Sequence, residues 1–82
     1  MNKIKVRFFG AFRNHFSTPE IVISMQPTQT VGEFKSELKN LYPALGQLLE
    51  ESAVADSEQI LGADRLIGDI NELSLLPPVC GG

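Results

Sequence analysis

Six residues near the start of the chain, Lys3, Ile4, Lys5, Val6, Arg7 and Phe8, alternate charged and apolar without a break. Side chains along an extended strand point to opposite faces with a period of two, so this spacing fits a strand with one face on a core and the other in water. A helix would scatter the same residues around its circumference. The pattern commits the chain to a sheet covered on one face, with Ile4, Val6 and Phe8 inward and Lys3, Lys5 and Arg7 outward. Glu20-Ile21-Val22-Ile23-Ser24-Met25 is rich in β-branched residues and predicts a second strand, with Ile21 and Ile23 sharing a face. Residues 10–19 hold turn formers and read as a connection, giving a hairpin with a long loop.

The cover for that sheet comes next in the chain. Thr30-Val31-Gly32-Glu33 matches a capping box, in which Thr30 and Glu33 satisfy free N–H groups at a helix start. Val31, Phe34, Leu38 and Leu41 then recur at helical spacing and are expected to pack on Ile4, Val6 and Phe8. Pro43 disfavours a helical residue before it, so the helix should end near Tyr42. Leu45, Leu48 and Leu49 predict a second short helical segment. Ala53-Val54-Ala55 and Ile60-Leu61 read as short strands, with a turn at Gly62-Ala63-Asp64. A turn at Asp69-Ile70-Asn71-Glu72 leads to a final strand, Glu72-Leu73-Ser74-Leu75-Leu76. Strands interrupted by one main helix indicate an α+β domain, and the simplest closure of its core sets the last strand beside the first.

With 82 residues the chain makes one small domain, which buries only about 60% of the surface of its unfolded chain and has little room for an enclosed active site. No apolar run approaches the ~20 residues of a membrane span. The run at residues 8–12 is too short for a secretory signal and is broken by Gly10. One cysteine, Cys80, excludes an internal disulfide and any cysteine-rich metal site. A soluble cytoplasmic protein, with no membrane partner and no bound metal or cofactor, is the expectation. Residues 1–41 carry six Lys/Arg against three acids, whereas residues 42–82 carry Arg65 alone against seven, for a net charge of −3. That balance, without basic residues interleaved with aromatics, argues against nucleic acid. Two readings of the acidic half stay open: a solvated face, or a surface that meets a basic partner.

The chain closes on Pro77-Pro78-Val79-Cys80-Gly81-Gly82. Two prolines cannot continue the interior of a sheet and favour an extended conformation. They stop the strand and project the last four residues away from it. Gly81 and Gly82 lack side chains and can pass through a channel too narrow for other residues. The division expected is a domain over residues 1–76 and an extended, flexible tail over residues 77–82. A frayed terminus without function is the plain alternative. The combination of strand, proline spacer, glycine pair and α+β order favours a tail that delivers its Gly82 carboxylate into another protein's active site.

With these residues in view, the chain resembles the sulfur-carrying small subunits of molybdopterin synthases, within the ubiquitin-like β-grasp group that also contains the thiamine sulfur carriers. The resemblance spans the chain, from IKVRFFGAFRN at residues 4–14 through the helix after Thr30 to DINELSLLPPVCGG at residues 69–82. Pro-Pro-Val favours this subfamily over the thiamine carriers. The resemblance implies a β-grasp fold and a carrier cycle. An E1-like adenylyltransferase spends ATP to adenylate the Gly82 carboxylate, and a sulfur donor protein supplies the sulfur that makes it a thiocarboxylate. The tail, Pro77, Pro78, Val79, Cys80, Gly81 and Gly82, then enters the large catalytic subunit of a heterotetrameric synthase. There its sulfur helps build the dithiolene of molybdopterin from a cyclic pyranopterin precursor. The small chain would have no catalytic activity alone. A sulfur carrier for thiamine or for tRNA thiolation, a protein modifier joined through Gly82, and an interaction domain with an idle tail are the competing readings.

The resemblance has departures. The family often places Gly where Ile70 stands, and a β-branched residue resists positive φ. The turn must therefore differ, or move its strained position to Asn71. The family also tends to carry Asn within the segment written here as Ala55-Asp56-Ser57-Glu58. Cys80 occupies a position where relatives carry other small residues, so it reads as a small residue for the channel and not as a nucleophile. His15 has no Ser or Cys partner in a motif and reads as a surface residue. Arg13 matches a commonly basic family position and is either a solvated charge or a partner contact. If Phe8 and Leu75 face the core, alternation turns Phe9 and Leu76 outward, and the two together read as a partner-binding patch.

Overall fold

The structure is a computed structural model, and it describes residues 2–78. Strand β1 (Asn2–Phe8) buries Ile4, Val6 and Phe8 and exposes Lys3, Lys5 and Arg7, as the alternation predicts. It pairs antiparallel with β2 (Glu20–Met25), Val6 opposite Ile21 and Ile4 opposite Ile23. Helix α1 (Val31–Leu41) begins with the full capping box. The Glu33 amide donates to Thr30 Oγ1 at 3.2 Å, and the Thr30 amide donates to Glu33 Oε1 at 3.0 Å. A 3-10 turn (Pro43–Leu45) runs into the short helix α2 (Gly46–Glu51), which carries Leu49 into the core. Then come β3 (Ala53–Ala55), β4 (Ile60–Leu61) and β5 (Glu72–Leu76).

The five strands form one mixed sheet in the order β2-β1-β5-β3-β4. The last strand lies at its centre, parallel to the first, with Phe8 opposite Leu75, and antiparallel to β3. The helices cover the face that carries Ile4, Val6, Phe8, Ile23, Met25, Val54, Leu61, Leu73 and Leu75. Phe34 and Leu38 of α1 are fully buried against them. Two polar contacts tie the helices together across their outer side. Lys39 Nζ meets Glu50 Oε1 at 2.9 Å, and Lys35 Nζ donates to the Ser52 carbonyl at 2.9 Å. Partial burial, with the nearby Lys39 charge, pulls the Lys35 pKa below its ordinary value. Among the described residues no helix is long and apolar enough to cross a membrane.

Two expectations need correction, and a third point, left open between alternatives, is decided. Leu41 is half exposed (51%) and does not join the core. Counted at 100° per residue, Leu41 falls only about 20° beyond the buried Phe34, so it is its place as the last residue of the helix, and not its angle, that sets it apart. Tyr42, one residue on, has left helical geometry (φ −133, ψ 73). It packs against the core and meets Phe16 edge-on at 4.9 Å between ring centroids. Second, residues 10–19 are more than a connection. A 3-10 helix (Gly10–His15) plugs the core with Phe12, which has no solvent exposure. The Phe8 ring stacks on Phe16 at 3.8 Å and lies 6.4 Å from Phe12, so three phenylalanines close one end of the core. Third, of the two courses open to the turn before β5, a different turn or strain at Asn71, the structure takes the first. Among the described residues no non-glycine has positive φ, and the left-handed position falls on Gly68 (φ 56). Ile70 is then free to pack its side chain against the core.

Candidate functional site

Parallel pairing decides where the functional end of the molecule lies. β1 and β5 run in the same direction, so both chains leave the sheet at one edge. Phe9 and Gly10 follow β1 there, and Pro77 and Pro78 follow β5. Phe9 continues the strand conformation (φ −130, ψ 155) and turns its ring outward, 40% exposed. The Arg7 guanidinium stands 6.0 Å from the ring centroid and 4.0 Å from a Glu72 carboxylate oxygen, spanning β1 and β5 on the open face. A cation at this distance from an aromatic face is attracted to it. Leu76 lies on the same face, in register with Ala53, and is half-buried rather than fully outward. The neighbouring Ala53 and Ala55 are small, so this part of the face is low and apolar.

Gly10 comes next. Its φ of 57 turns the chain from strand into the 3-10 helix, a conformation that L side chains rarely adopt. The Pro77 ring packs against it, with Cγ only 2.6 Å from where a β-carbon on residue 10 would stand. Pro77 is thus a half-buried part of the domain edge, although the sequence reading places it wholly in a free tail. Arg13 lies in the last turn of the 3-10 helix with its side chain exposed, and His15 is exposed at its end. Pro78 is half-buried. Val79, Cys80, Gly81 and Gly82 lie outside the described residues. The structure therefore brings Phe9, Leu76 and Pro77 to one edge. Gly10 is the residue there that sequence reasoning missed; a glycine directly after the strand, opposite a proline after the last strand, is the signal that could have found it.

The opposite end of β5 is different in character. A shallow concavity of about 340 Å³ is lined by Asp56, Ser57, Asp69, Ile70, Asn71 and Glu72. The Asp56 carboxylate accepts the amides of Glu58 and Gln59, each at 2.8 Å, which holds its pKa below the ordinary value. That group closes the β3–β4 turn and is accounted for by it. Among the described residues no cluster of three His, Cys, Asp or Glu side chains is arranged to hold a metal.

The edge built by β1 and β5 is the setting for comparison with known proteins. The model of the ThiS family matches residues 6–82. The chain belongs to the ThiS family. Over 83 aligned residues it is 30% identical to the molybdopterin synthase sulfur carrier subunit of Mycobacterium tuberculosis, with both chains covered in full. A structure of the complex of subunits 1 and 2 of the molybdopterin-converting factor from Helicobacter pylori contains a chain 27% identical to this one. It superposes with a TM-score of 0.68 over 98% of this chain and 99% of that one. A ubiquitin from Caldiarchaeum subterraneum superposes with a TM-score of 0.67 at 16% identity, over 99% and 98% of the two chains. The α+β class read from the order of elements and the ubiquitin-like β-grasp fold implied by the resemblance are thereby shown, and the family match extends over the edge where Phe9, Gly10, Leu76 and Pro77 meet.

Proposed function

We propose that this protein is the sulfur carrier subunit of a molybdopterin synthase and that its reacting group is the Gly82 carboxylate. The observation that carries the reading is the exit edge. A central strand ends at Leu76 beside an exposed aromatic, and six residues of proline, small residue and glycine follow it. The membership of the ThiS family and the name of the Mycobacterium tuberculosis relative support the same reading.

The chemistry divides into three steps. A carboxylate is a poor acyl donor, so an E1-like adenylyltransferase converts it with ATP to an acyl adenylate, releasing pyrophosphate. A sulfide equivalent from a sulfur donor protein then attacks the acyl carbon and displaces AMP, leaving a thiocarboxylate. The thiocarboxylate sulfur finally attacks a carbon of the pyranopterin precursor inside the large subunit and displaces an oxygen leaving group. Water then cleaves the acyl–sulfur bond, which leaves the sulfur on the precursor and restores the Gly82 carboxylate. This domain supplies no general base and binds no cofactor itself; ATP is held by the activating enzyme. Its contribution is to dock and to hold the reacting sulfur in place, which in general can account for a large part of a reaction barrier. Phe9 and Leu76 form the apolar centre of the docking surface, and Arg13, exposed on the 3-10 helix that follows Phe9, adds a charge. The Helicobacter pylori complex of subunits 1 and 2 supports a large-subunit partner of this kind. A cycle that consumes ATP and handles reduced sulfur belongs in the cytoplasm.

Intact mass spectrometry on protein from cells that make the cofactor tests the reading. A species heavier by the replacement of one oxygen with sulfur, absent from a Gly82-deleted variant that still folds, is expected. Wild-type sulfur transfer by a chain extended beyond Gly82 and left uncleaved would defeat it. Recovery of Gly82 in isopeptide linkage to other proteins, with no thiocarboxylate form, would move the protein to the modifier class.

A further inference from the structure

We infer that Gly10 is a positioning residue for the tail: it is the bare seat on which the Pro77 ring rests, and it fixes the direction in which the chain leaves the domain after Pro78. This rests on the reading of the tail as the working end of the molecule. Carbon atoms in contact sit about 3.5–4.0 Å apart, whereas a β-carbon at residue 10 would lie 2.6 Å from Pro77 Cγ, 3.5 Å from Cδ and 3.8 Å from Cβ. The clashing atom belongs to a closed ring with φ locked near −65°, so it cannot swing aside like the end of a flexible side chain. Any side chain at residue 10 therefore forces Pro77 and residue 10 apart by about 1 Å.

Leverage makes that displacement matter. Five residues follow Pro77, and extended they span up to about 17 Å. A displacement of about 1 Å across one residue step of ~3.8 Å tilts the chain leaving Pro77 by roughly 15°. A reacting atom misplaced by about 1 Å can cost on the order of a hundredfold in rate. Gly10 thus acts through Pro77 on the direction in which the chain leaves β5.

The domain contains its own control. Gly68 has the same left-handed backbone (φ 56 against 57) but nothing within 4 Å of the position a β-carbon would take. Gly68→Ala carries the backbone penalty alone, and Gly10→Ala carries the penalty together with the clash. A nitroxide attached to Cys80, the single cysteine, broadens the amide signals that the tail passes near, and so reports its direction in the free protein. Gly10→Ala is expected to redistribute the broadening over β1 and β5, while Gly68→Ala leaves the wild-type pattern. Pro77→Ala removes the ring from its seat and is expected to redistribute the broadening as well; it decides the matter should Gly10→Ala not fold. With thiocarboxylated protein and saturating large subunit, single-turnover transfer should slow tenfold or more in Gly10→Ala and stay within threefold in Gly68→Ala. A wild-type broadening pattern in both Gly10→Ala and Pro77→Ala, or the same change in Gly68→Ala, overturns the proposal. An unchanged transfer rate in Gly10→Ala overturns its part in delivery. Absence of transfer by the unsubstituted protein defeats the sulfur-carrier reading instead, and the broadening patterns still decide whether Gly10 seats the tail.

Discussion

Replacing Phe12 with Ala tests whether the 3-10 helix between β1 and β2 is a structural part of the core. The ring is 0% exposed and faces Phe8 from a segment with no strand or α-helix around it. Aromatic side chains bury about 150–250 Å² each. At roughly 25 cal/mol per Å², the lower end of that range is worth about 4 kcal/mol, an upper bound because the unfolded chain already hides part of the surface. Alanine keeps some of that contact, and the cavity left behind adds to the loss, so Phe-to-Ala changes in cores cost about 3–5 kcal/mol. A chain of 82 residues has a total stability of about 4–12 kcal/mol at typical values per residue. The substitution therefore removes a large share of the whole. In urea unfolding followed by circular dichroism, the midpoint should fall by about 2–4 M for a slope near ~1.3 kcal/mol per M. Phe12→Leu keeps most of the volume and should lose less than about 1.5 kcal/mol, which leaves a measurable transition if the alanine variant is unfolded in buffer. A loss below about 1 kcal/mol for Phe12→Ala, with an unchanged slope, would show that the 3-10 helix rides on the domain without closing it.

Within α1, Phe34→Ala should cost about 3–5 kcal/mol, because that ring is fully buried, whereas Leu41→Ala should stay within about 0.5 kcal/mol; the same urea experiment ranks them, and equal losses would contradict the helix orientation. At the docking edge, Phe9→Asp should weaken binding to the large subunit at least tenfold in calorimetry with the urea midpoint nearly unchanged, and Leu76→Asp should weaken it at some cost in stability, since Leu76 is half-buried; unchanged affinities would move the surface elsewhere. The Asp56 carboxyl titrates below its ordinary value because two amides donate to it, so its contribution is present above that ordinary value and is lost as pH falls through the folded one. The stability of the wild type relative to Asp56→Asn should therefore shrink on acidification below about pH 4, and a difference that stays constant from about pH 6 to about pH 2.5 would rule the linkage out. Cys80→Ser should retain most single-turnover sulfur transfer and abolish any disulfide-linked dimer on non-reducing gels; a hundredfold loss with affinity intact would assign Cys80 a part in the chemistry.

The elements with a strict local code were legible. Alternation at residues 3–8 and the Thr30–Glu33 capping box depend on near neighbours alone, and both stand as read. Position along the apolar stripe of α1 was legible for Phe34 and Leu38. It failed at Leu41, where the chain abandons helical geometry at Tyr42 (φ −133, ψ 73) and a tyrosine takes the place a leucine was expected to fill. Phe12 was missed because a 3-10 turn has no long period to detect. Its sign was the recurrence of phenylalanine at 8, 12 and 16, since such residues are rarely all left in water. The positive-φ position before β5 could not be fixed by comparing single positions with a family habit. The turn found its own glycine two residues before Ile70, and Ile70 then took up a core contact. At the candidate site, Phe9 was readable from alternation. The Gly10–Pro77 contact joins residues 67 positions apart and exists only once β5 pairs with β1.

The central place of β5 also determines how the domain responds to force. A partner that draws residues beyond Leu76 into a channel pulls along the axis of β5, with β1 on one flank and β3 on the other. The load then falls on both hydrogen-bond ladders in shear, and their bonds must yield together; an edge strand peeled sideways would give them up one at a time. Rupture under such a pull is set by the unfolding rate, which strengthening these two ladders lowers. A carrier built this way can be tugged by its end and stay folded.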